Sequence, residues 1–251
     1  MNEMKRLLSF VRRAADDYAM IEDGDRIAVG VSGGKDSLAL LEVLAEMRRF
    51  YPKKYEVFAV TVDMGFEGSD FSEIEEFCRR IGVEYKIVKT EIAKIIFDVR
   101  KETNPCSLCA KMRRGSLHAA AQELSCNKVA LGHHYNDAIE TFMMNLFFEG
   151  RLGCFSPVTY LSNRDITLIR PLIYAQEKDI LYFLRKRTLP VMKSLCPEDK
   201  NTERENMKSL LSELEKGNKG LQHRIFTAMC RAEIDGFKKA GKYPDAGKIE
   251  D

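Results

Sequence analysis

Ser32-Gly33-Gly34-Lys35-Asp36-Ser37 joins two adjacent glycines, a lysine and two hydroxyls, a set suited to holding phosphate. Glycines let the main chain approach an anion, successive N–H groups point at it, and a following helix N-terminus adds a favourable dipole. Lys35 supplies a full positive charge, and Ser32 and Ser37 can donate hydrogen bonds. The spacing excludes two other phosphate loops. G-x-x-x-x-G-K-S/T needs four residues between its glycines, and Gly30-Val-Ser-Gly33 does not fit G-x-G-x-x-G. A second set is made of sulfur. Pro105-Cys106-Ser-Leu-Cys109 is a C-x-x-C without a second copy, and Cys196 lies far downstream. A thioredoxin-like pair would follow the first strand of its domain, whereas this pair follows three. Tetrahedral zinc would need a fourth ligand beside Cys106, Cys109 and Cys196, and His118 is available. Three thiolates also suit a [4Fe–4S] cluster with one iron left open. At this level zinc and iron–sulfur both stand.

The elements that must position these groups follow from apolar spacing. Met1 to about Met20 carries Leu7, Leu8, Phe10, Val11 and Ala14 at helical intervals and stops near Asp23-Gly24. Arg26 to Val31 reads as a strand, followed by the glycine turn and a helix through Leu38, Leu41, Leu44 and Met47. Further strands are predicted over 55–62, 84–89, 128–132 and 166–169. Asp70 is expected to cap a helix, in a capping box with Glu73. Helices are predicted from about Cys109 to Leu124 and from Asp137 to Phe148. Strands alternating with helices imply a parallel α/β sheet covered on both faces. After Gln176 only helices are expected, over about 176–188, 202–216 and 220–239, with a polar tail from Gly241 that frays. The division expected is residues 1–24 as an N-terminal helix, 25–175 as the nucleotide domain, and 176–251 as a helical region carrying the third cysteine.

Composition bounds the rest. In 251 residues, 45% hydrophobic and 31% charged, there is no apolar run of membrane-spanning length. The charged, amphipathic N-terminus is unlike a signal peptide, so a cytoplasmic protein is expected. Seven cysteines, an odd number, argue against a disulfide framework; Cys78, Cys126, Cys154 and Cys230 read as small core residues. Net charge is only +2, but Arg100, Lys101, Lys111, Arg113 and Arg114 face a single acid, Glu102. Residues 151–193 hold eight basic and three acidic residues. Such local stretches can hold phosphates, or be solvated surface.

The motif SGGxDS after a first strand resembles the signature of the PP-loop family of ATP pyrophosphatases. That resemblance implies a five-stranded parallel sheet, and a loop that binds the pyrophosphate of ATP while a substrate oxygen takes up AMP. It places Asp63, at the end of the second strand, among adenine and ribose contacts; a turn residue is the plainer reading. Four further segments are similar to the TtcA-type tRNA thiolation enzymes: Cys106-Ser-Leu-Cys109 with Met112-Arg113-Arg114-Gly115; Gly132-His-His-Tyr-Asn-Asp137 with Ala-Ile-Glu-Thr141; Arg170-Pro171-Leu172; and Cys196 followed by Asn201-Thr-Glu-Arg204. Lys193-Ser-Leu-Cys196 keeps one cysteine where some members have a C-x-x-C, and Asn136 stands where aspartate is frequent.

By this resemblance the cofactors are ATP, Mg²⁺ and a [4Fe–4S] cluster on Cys106, Cys109 and Cys196. The partners are tRNA and a sulfur donor, either a cysteine desulfurase or free sulfide, and the protein is a homodimer. The implied reaction adenylates O2 of a cytidine at position 32 of the anticodon loop and replaces that oxygen with sulfur. Ser32, Gly33, Gly34, Lys35, Asp36, Ser37, Gly132 and His133 would meet ATP, with Asp36 helping to hold magnesium. His134 is an alternative nucleotide contact. Asp137 would join helix capping to catalysis, and Arg113, one turn after Cys109, would stabilise the activated base or a phosphate. Arg170 would meet a phosphate or sit in a buried salt bridge. Three other readings use parts of the same pattern: a PP-loop thiolase acting on a tRNA uridine, a tRNA-lysidine ligase, and a non-catalytic metal-cluster ATP-binding sensor.

Overall fold

A computed structural model describes residues 3–100, 105–185, 187–198 and 203–238. Its centre is β1 (Asp25–Gly30), whose apolar residues are buried on both faces, as an inner parallel strand requires. On one side β1 pairs with β2 (Tyr55–Asp63), Ile27 opposite Val57, and β2 pairs with β3 (Glu84–Lys89). On the other side β1 pairs with β4 (Lys128–Ala130), and β4 with β6 (Ile166–Ile169). These five strands run parallel, as the sequence predicts.

A sixth strand, β5 (Val158–Leu161), pairs antiparallel with β6 at the edge, giving the order β3-β2-β1-β4-β6-β5. It escaped the sequence reading because it is four residues long and mostly half-buried, with Tyr160 exposed, so its apolar signal is weak. The strand order reverses between β1 and β4. In open α/β sheets ligands bind at the carboxyl ends of strands at such a switch point. Both Ser32–Ser37, following β1, and Gly132–Asp137, following β4, sit there.

Helices α1 (Glu3–Asp17), α2 (Lys35–Met47), α6 (Tyr135–Phe148), α7 (Glu177–Leu184), α8 (Glu203–Gly217) and α9 (Leu221–Arg231) share one buried cluster with the sheet. α3 (Ser72–Arg80) joins them through Ile74, Phe77 and Cys78. α4 (Ile92–Lys94) runs directly into a π-helical turn, Ile95–Val99. α5 (Pro105–Glu123) covers the opposite face, where Leu117, Ala120 and Ala121 pack on Ala28, Phe58 and Val60. Cys78, Cys126 and Cys230 are buried. Among the described residues no helix is long and apolar enough to cross a membrane.

Several boundaries differ from expectation. α5 opens at Pro105, four residues early, because proline is well suited to a first helical turn. α9 ends at Arg231 rather than near 239, because Glu233 and Asp235 both take left-handed backbone. Asp70 is not the cap of α3: Phe71 holds that position, and the Asp70 carboxylate instead accepts the Ser72 N–H at 2.9 Å. The polar tail and Asn201-Thr202 lie outside the described residues.

Phe226 is fully buried, with ring centroids 4.3 Å from Tyr135, 6.4 Å from Tyr174 and 5.6 Å from Phe237. Phe226→Ala is expected to cost about 3–5 kcal/mol in urea unfolding. Leu181→Ala, on a 46% exposed side chain, should cost no more than about 0.5 kcal/mol.

Candidate functional site

The loop after β1 is held by its own hydroxyls. Ser37 Oγ accepts the Ser32 N–H at 3.1 Å and donates to the Gly34 carbonyl at 2.9 Å, and Ser32 Oγ accepts the Gly34 N–H at 3.3 Å. Gly33 has φ +80°, the left-handed region that favours glycine. Gly132 serves differently: a Cβ there would lie 3.1 Å from Ser37 N and 3.2 Å from Asp36 C, so only glycine lets the two loops meet this closely.

Lys35 Nζ sits 3.0 Å from Asp36 Oδ2 and 3.1 Å from Glu177 Oε1, at the start of α7. Burial works against its ammonium, but the two carboxylates hold its pKa above the ordinary value. The other oxygen of Glu177 meets Lys208 of α8 at 3.0 Å. Burial acts to raise the Glu177 pKa; Lys208 and Lys35 together bring it below the usual carboxylate range. Asp36 Oδ1 is buried without a hydrogen-bond partner, and His134 Nε2 stands 3.9 Å from it.

The segment after β4 forms the opposite wall. His134 caps α6: its Nδ1 accepts the Asp137 N–H at 3.4 Å, while the Asp137 carboxylate accepts the His134 N–H at 2.8 Å. With Nδ1 accepting, the imidazole proton is assigned to Nε2, facing Asp36. Asp137 Oδ1 and Glu140 Oε2 both lie 3.5 Å from Arg204 Nη1, and Arg204 Nη2 donates to Thr141 at 3.0 Å. Burial first, then the Asp137 charge, pushes the Glu140 pKa up to about 7, against the pull of Arg204. Asn136 accepts the Glu177 N–H at 2.9 Å and donates to Gln222 at 2.8 Å, joining the starts of α6, α7 and α9.

His133 turns the other way. Its ring stacks on Phe155 at 4.9 Å and its Nδ1 accepts from Arg170 Nε at 3.3 Å. Desolvation and the adjacent guanidinium push its pKa down to about 4. Arg170 is buried, lies 4.8 Å over the same ring and donates to the Ser156 carbonyl at 2.5 Å; burial lowers its pKa to about 10. Its partners are a ring, an imidazole and a carbonyl; among the described residues it forms no salt bridge.

Cys106 and Cys109 occupy the first turn of α5, three residues apart and so on one face. Arg113 lies one turn further along α5. Burial raises the Cys109 pKa, Arg113 opposes, and the thiols of Cys196 and Cys106 are near enough to raise it further. Cys196 is brought there by the segment 187–198. Arg187 ion-pairs with Glu42 of α2, and the Met192 N–H donates to the Gly33 carbonyl at 3.0 Å. The Met192 side chain lies against Gly33, where an added Cβ would meet its sulfur at 3.0 Å.

Among the described residues no three Cys, His, Asp or Glu side chains stand close enough to grip a single metal ion. Three thiols in one neighbourhood match an iron–sulfur cluster in their donor chemistry. His118 lies nine residues beyond Cys109 on α5, about 13 Å along the axis, buried and with Nε2 unpartnered. It is therefore not placed to be a fourth ligand. Asp63 Oδ1 accepts the Gly65 N–H at 2.9 Å, which fits a turn residue at the end of β2.

The structure thus gathers residues 32–37, Gly132, His134 and Asp137 at one switch point. Glu177, Lys208, Met192 and Gln222 were missed by sequence reasoning, since acids, lysines and a methionine on late helices and loops carry no spacing signal. Arg204 fell inside a quoted motif but had no assigned role.

The Ser32-Gly-Gly-Lys-Asp-Ser37 loop sits at the switch point of the sheet, and a model of the PP-loop domain matches residues 5–214, which makes this a PP-loop protein. The chain is 42% identical over 228 residues to the tRNA-cytidine(32) 2-sulfurtransferase of Geobacter sulfurreducens, covering 90% of this chain and 89% of that protein. It is 43% identical over 233 residues to the enzyme of that name from Geotalea daltonii, covering 91% and 92%. The chain belongs to this tRNA-cytidine(32) 2-sulfurtransferase family of PP-loop proteins. Among solved structures it is similar to the U34-tRNA thiolase NcsA from Methanococcus maripaludis with its [4Fe-4S] cluster, at TM-score 0.73 and 28% identity, covering 89% of this chain and 77% of that one.

Two outcomes follow from this geometry. Gly132→Ala is expected to weaken ATP binding at least about tenfold, roughly 1.4 kcal/mol, with an unchanged far-UV spectrum, as read by calorimetry. Glu140 has a folded pKa above its unfolded one, so the stability it contributes is complete below about pH 4.5 and lost as pH rises to about 7. Unfolding of Glu140→Gln beside wild type across that window should show wild type losing ground, with the difference level above it.

Proposed function

We propose that this chain uses ATP to adenylate a tRNA cytidine and then replaces its O2 with sulfur. One observation carries the reading: the Met192–Gly33 hydrogen bond fastens the Cys196 segment to the phosphate loop, beside the helix that carries Cys106 and Cys109. ATP activation and sulfur delivery then share one pocket. Identities of 42–43% to cytidine(32) sulfurtransferases, against 28% to a uridine thiolase, favour the cytidine.

The chemistry needs both halves. A carbonyl oxygen displaced by sulfur would leave as hydroxide, a poor leaving group. Attack of O2 on the α-phosphorus of ATP forms an O–P bond and releases pyrophosphate; sulfur then adds at C2, and the oxygen leaves with AMP. Lys35, the loop N–H groups and Ser37 would bind the departing pyrophosphate. The unpartnered, buried Asp36 Oδ1 fits a cation, so Asp36 would hold Mg²⁺, which screens phosphate charge.

Asp63 at the end of β2 would approach the ribose, and Gly132 gives the room. His134, rather than His133 whose Nδ1 is taken by Arg170, is the imidazole aimed at the cradle. Asp137 would orient His134. Cys106, Cys109 and Cys196 would hold the [4Fe–4S] cluster, which supplies a soft metal site for the incoming sulfur. Arg113, one turn after Cys109 on α5, would face the activated base or a phosphate. The partners are tRNA and a donor of sulfide or persulfide sulfur.

The test is mass spectrometry of tRNA nucleosides from cells lacking the gene, complemented with wild type or with Cys196→Ala. Wild type is expected to restore 2-thiocytidine. Cys196→Ala should restore none while the purified variant still binds ATP. Full restoration by Cys196→Ala would sink the role of the third thiol, and loss of a 2-thiouridine instead would move the substrate.

A further inference from the structure

An open cleft of ≈ 960 Å³ lies away from the ATP cradle, between α1, the second half of α2, the C-terminal end of α3 and Arg187. Lys5, Arg12, Arg48, Arg49, Arg80 and Arg187 line it, against the lining carboxylates Glu42 and Glu46, and Asp16 pairs with Arg12 at 3.7 Å. Both lining carboxylates are occupied, Glu42 by Arg187 and Glu46 by Arg49. Arg48 donates instead to the carbonyls of Ala45, Ile81 and Gly82, and Arg80 to that of Thr188 while lying 5.3 Å over Phe77. Those bonds fix two guanidinium groups without neutralising either by an ion pair among the described residues. Phe50, 49% exposed, adds a ring at the rim.

Three of the six cations are paired, Arg12, Arg49 and Arg187, which leaves Lys5, Arg48 and Arg80 as positive charge without an ion pair among the described residues. Lys5 and Arg12 alone span about 10 Å along α1, longer than a single phosphate contact. Cations that far apart suit a polyanion better than a mononucleotide. The cleft is also tied to the cradle. Arg187 opens the segment whose Met192 covers Gly33, and Arg6 of α1 pairs with Asp179 two residues after Glu177, the partner of Lys35.

From this charge, and from the two links to the cradle, we infer that this cleft receives the phosphate backbone of the substrate RNA, outside the nucleotide being modified. This rests on the tRNA reading above. Phosphate contacts position an RNA without reading its sequence, and each one adds to the salt dependence of binding.

The experiment measures tRNA affinity against salt for wild type and two variants. One is Lys5→Gln/Arg12→Gln/Arg49→Gln, whose changes fall on solvent-facing side chains and leave the fold intact. The other is Arg48→Gln/Arg80→Gln. The first is expected to weaken tRNA binding about tenfold, and to flatten the slope of log affinity against log salt by about 2, with ATP binding unchanged. The second should act in the same direction. Lys35→Ala, in the cradle, should bind tRNA nearly as wild type does. A triple variant with wild-type tRNA affinity and slope overturns the inference, whether the cleft then takes an acidic protein or a second copy of this chain. Wild-type protein that binds no tRNA at any salt overturns the proposed function itself, so the two failures are distinguishable.

Discussion

One backbone hydrogen bond, from Met192 N–H to the Gly33 carbonyl, ties the glycine loop to the segment that carries Cys196. It forms because Gly33 adopts a left-handed conformation, and because the missing Cβ leaves room for the Met192 side chain. Any L-residue at 33 would strain the phosphate loop and displace the returning segment together. The loop and the thiol-bearing segment are therefore one mechanical unit, with Arg187 on Glu42 as a second fastening a few residues earlier. Without this unit, Cys196 would be a residue on a loop, and the pair on α5 would have no third sulfur nearby.

The sheet makes the unit possible. Reversal of strand order between β1 and β4 opens a crevice, and Gly132 lets its two walls approach to backbone contact. Around the crevice the polar groups are joined across helices: Asn136 links the starts of α6, α7 and α9, Glu177 bridges two lysines, and Arg204 clasps two carboxylates of α6. The C-terminal helices thus do more than cover the sheet. They supply the countercharges that hold the phosphate loop's lysine in place before any ligand arrives.

The five parallel strands and the phosphate loop were legible because buried strands leave continuous apolar runs and glycine pairs leave a spacing. β5 was not, since a short edge strand with an exposed tyrosine resembles a loop. The direction of a side chain was also hidden. His133 and His134 are adjacent and chemically identical, yet the strand's end sends one against Phe155 and Arg170 and the other toward Asp36. Arg170 could be read from its type as a phosphate contact or a buried salt bridge, but its place in that stack could not. Cys106 and Cys109 were readable as a pair, whereas the approach of Cys196 depended on the fold bringing back a segment nearly ninety positions later, with no local pattern to announce it.

The bridge from Lys35 through Glu177 to Lys208 carries a consequence for what can enter. Within this bridge the two ammonium groups and the carboxylates of Asp36 and Glu177 cancel, so it offers no surplus of fixed charge to a bare polyphosphate. Attraction there comes from oriented N–H dipoles, which act at short range, instead of from a long-range field. A guest carrying four negative charges gains most by arriving with its own counterion. The cradle discriminates by what accompanies the anion as much as by its shape.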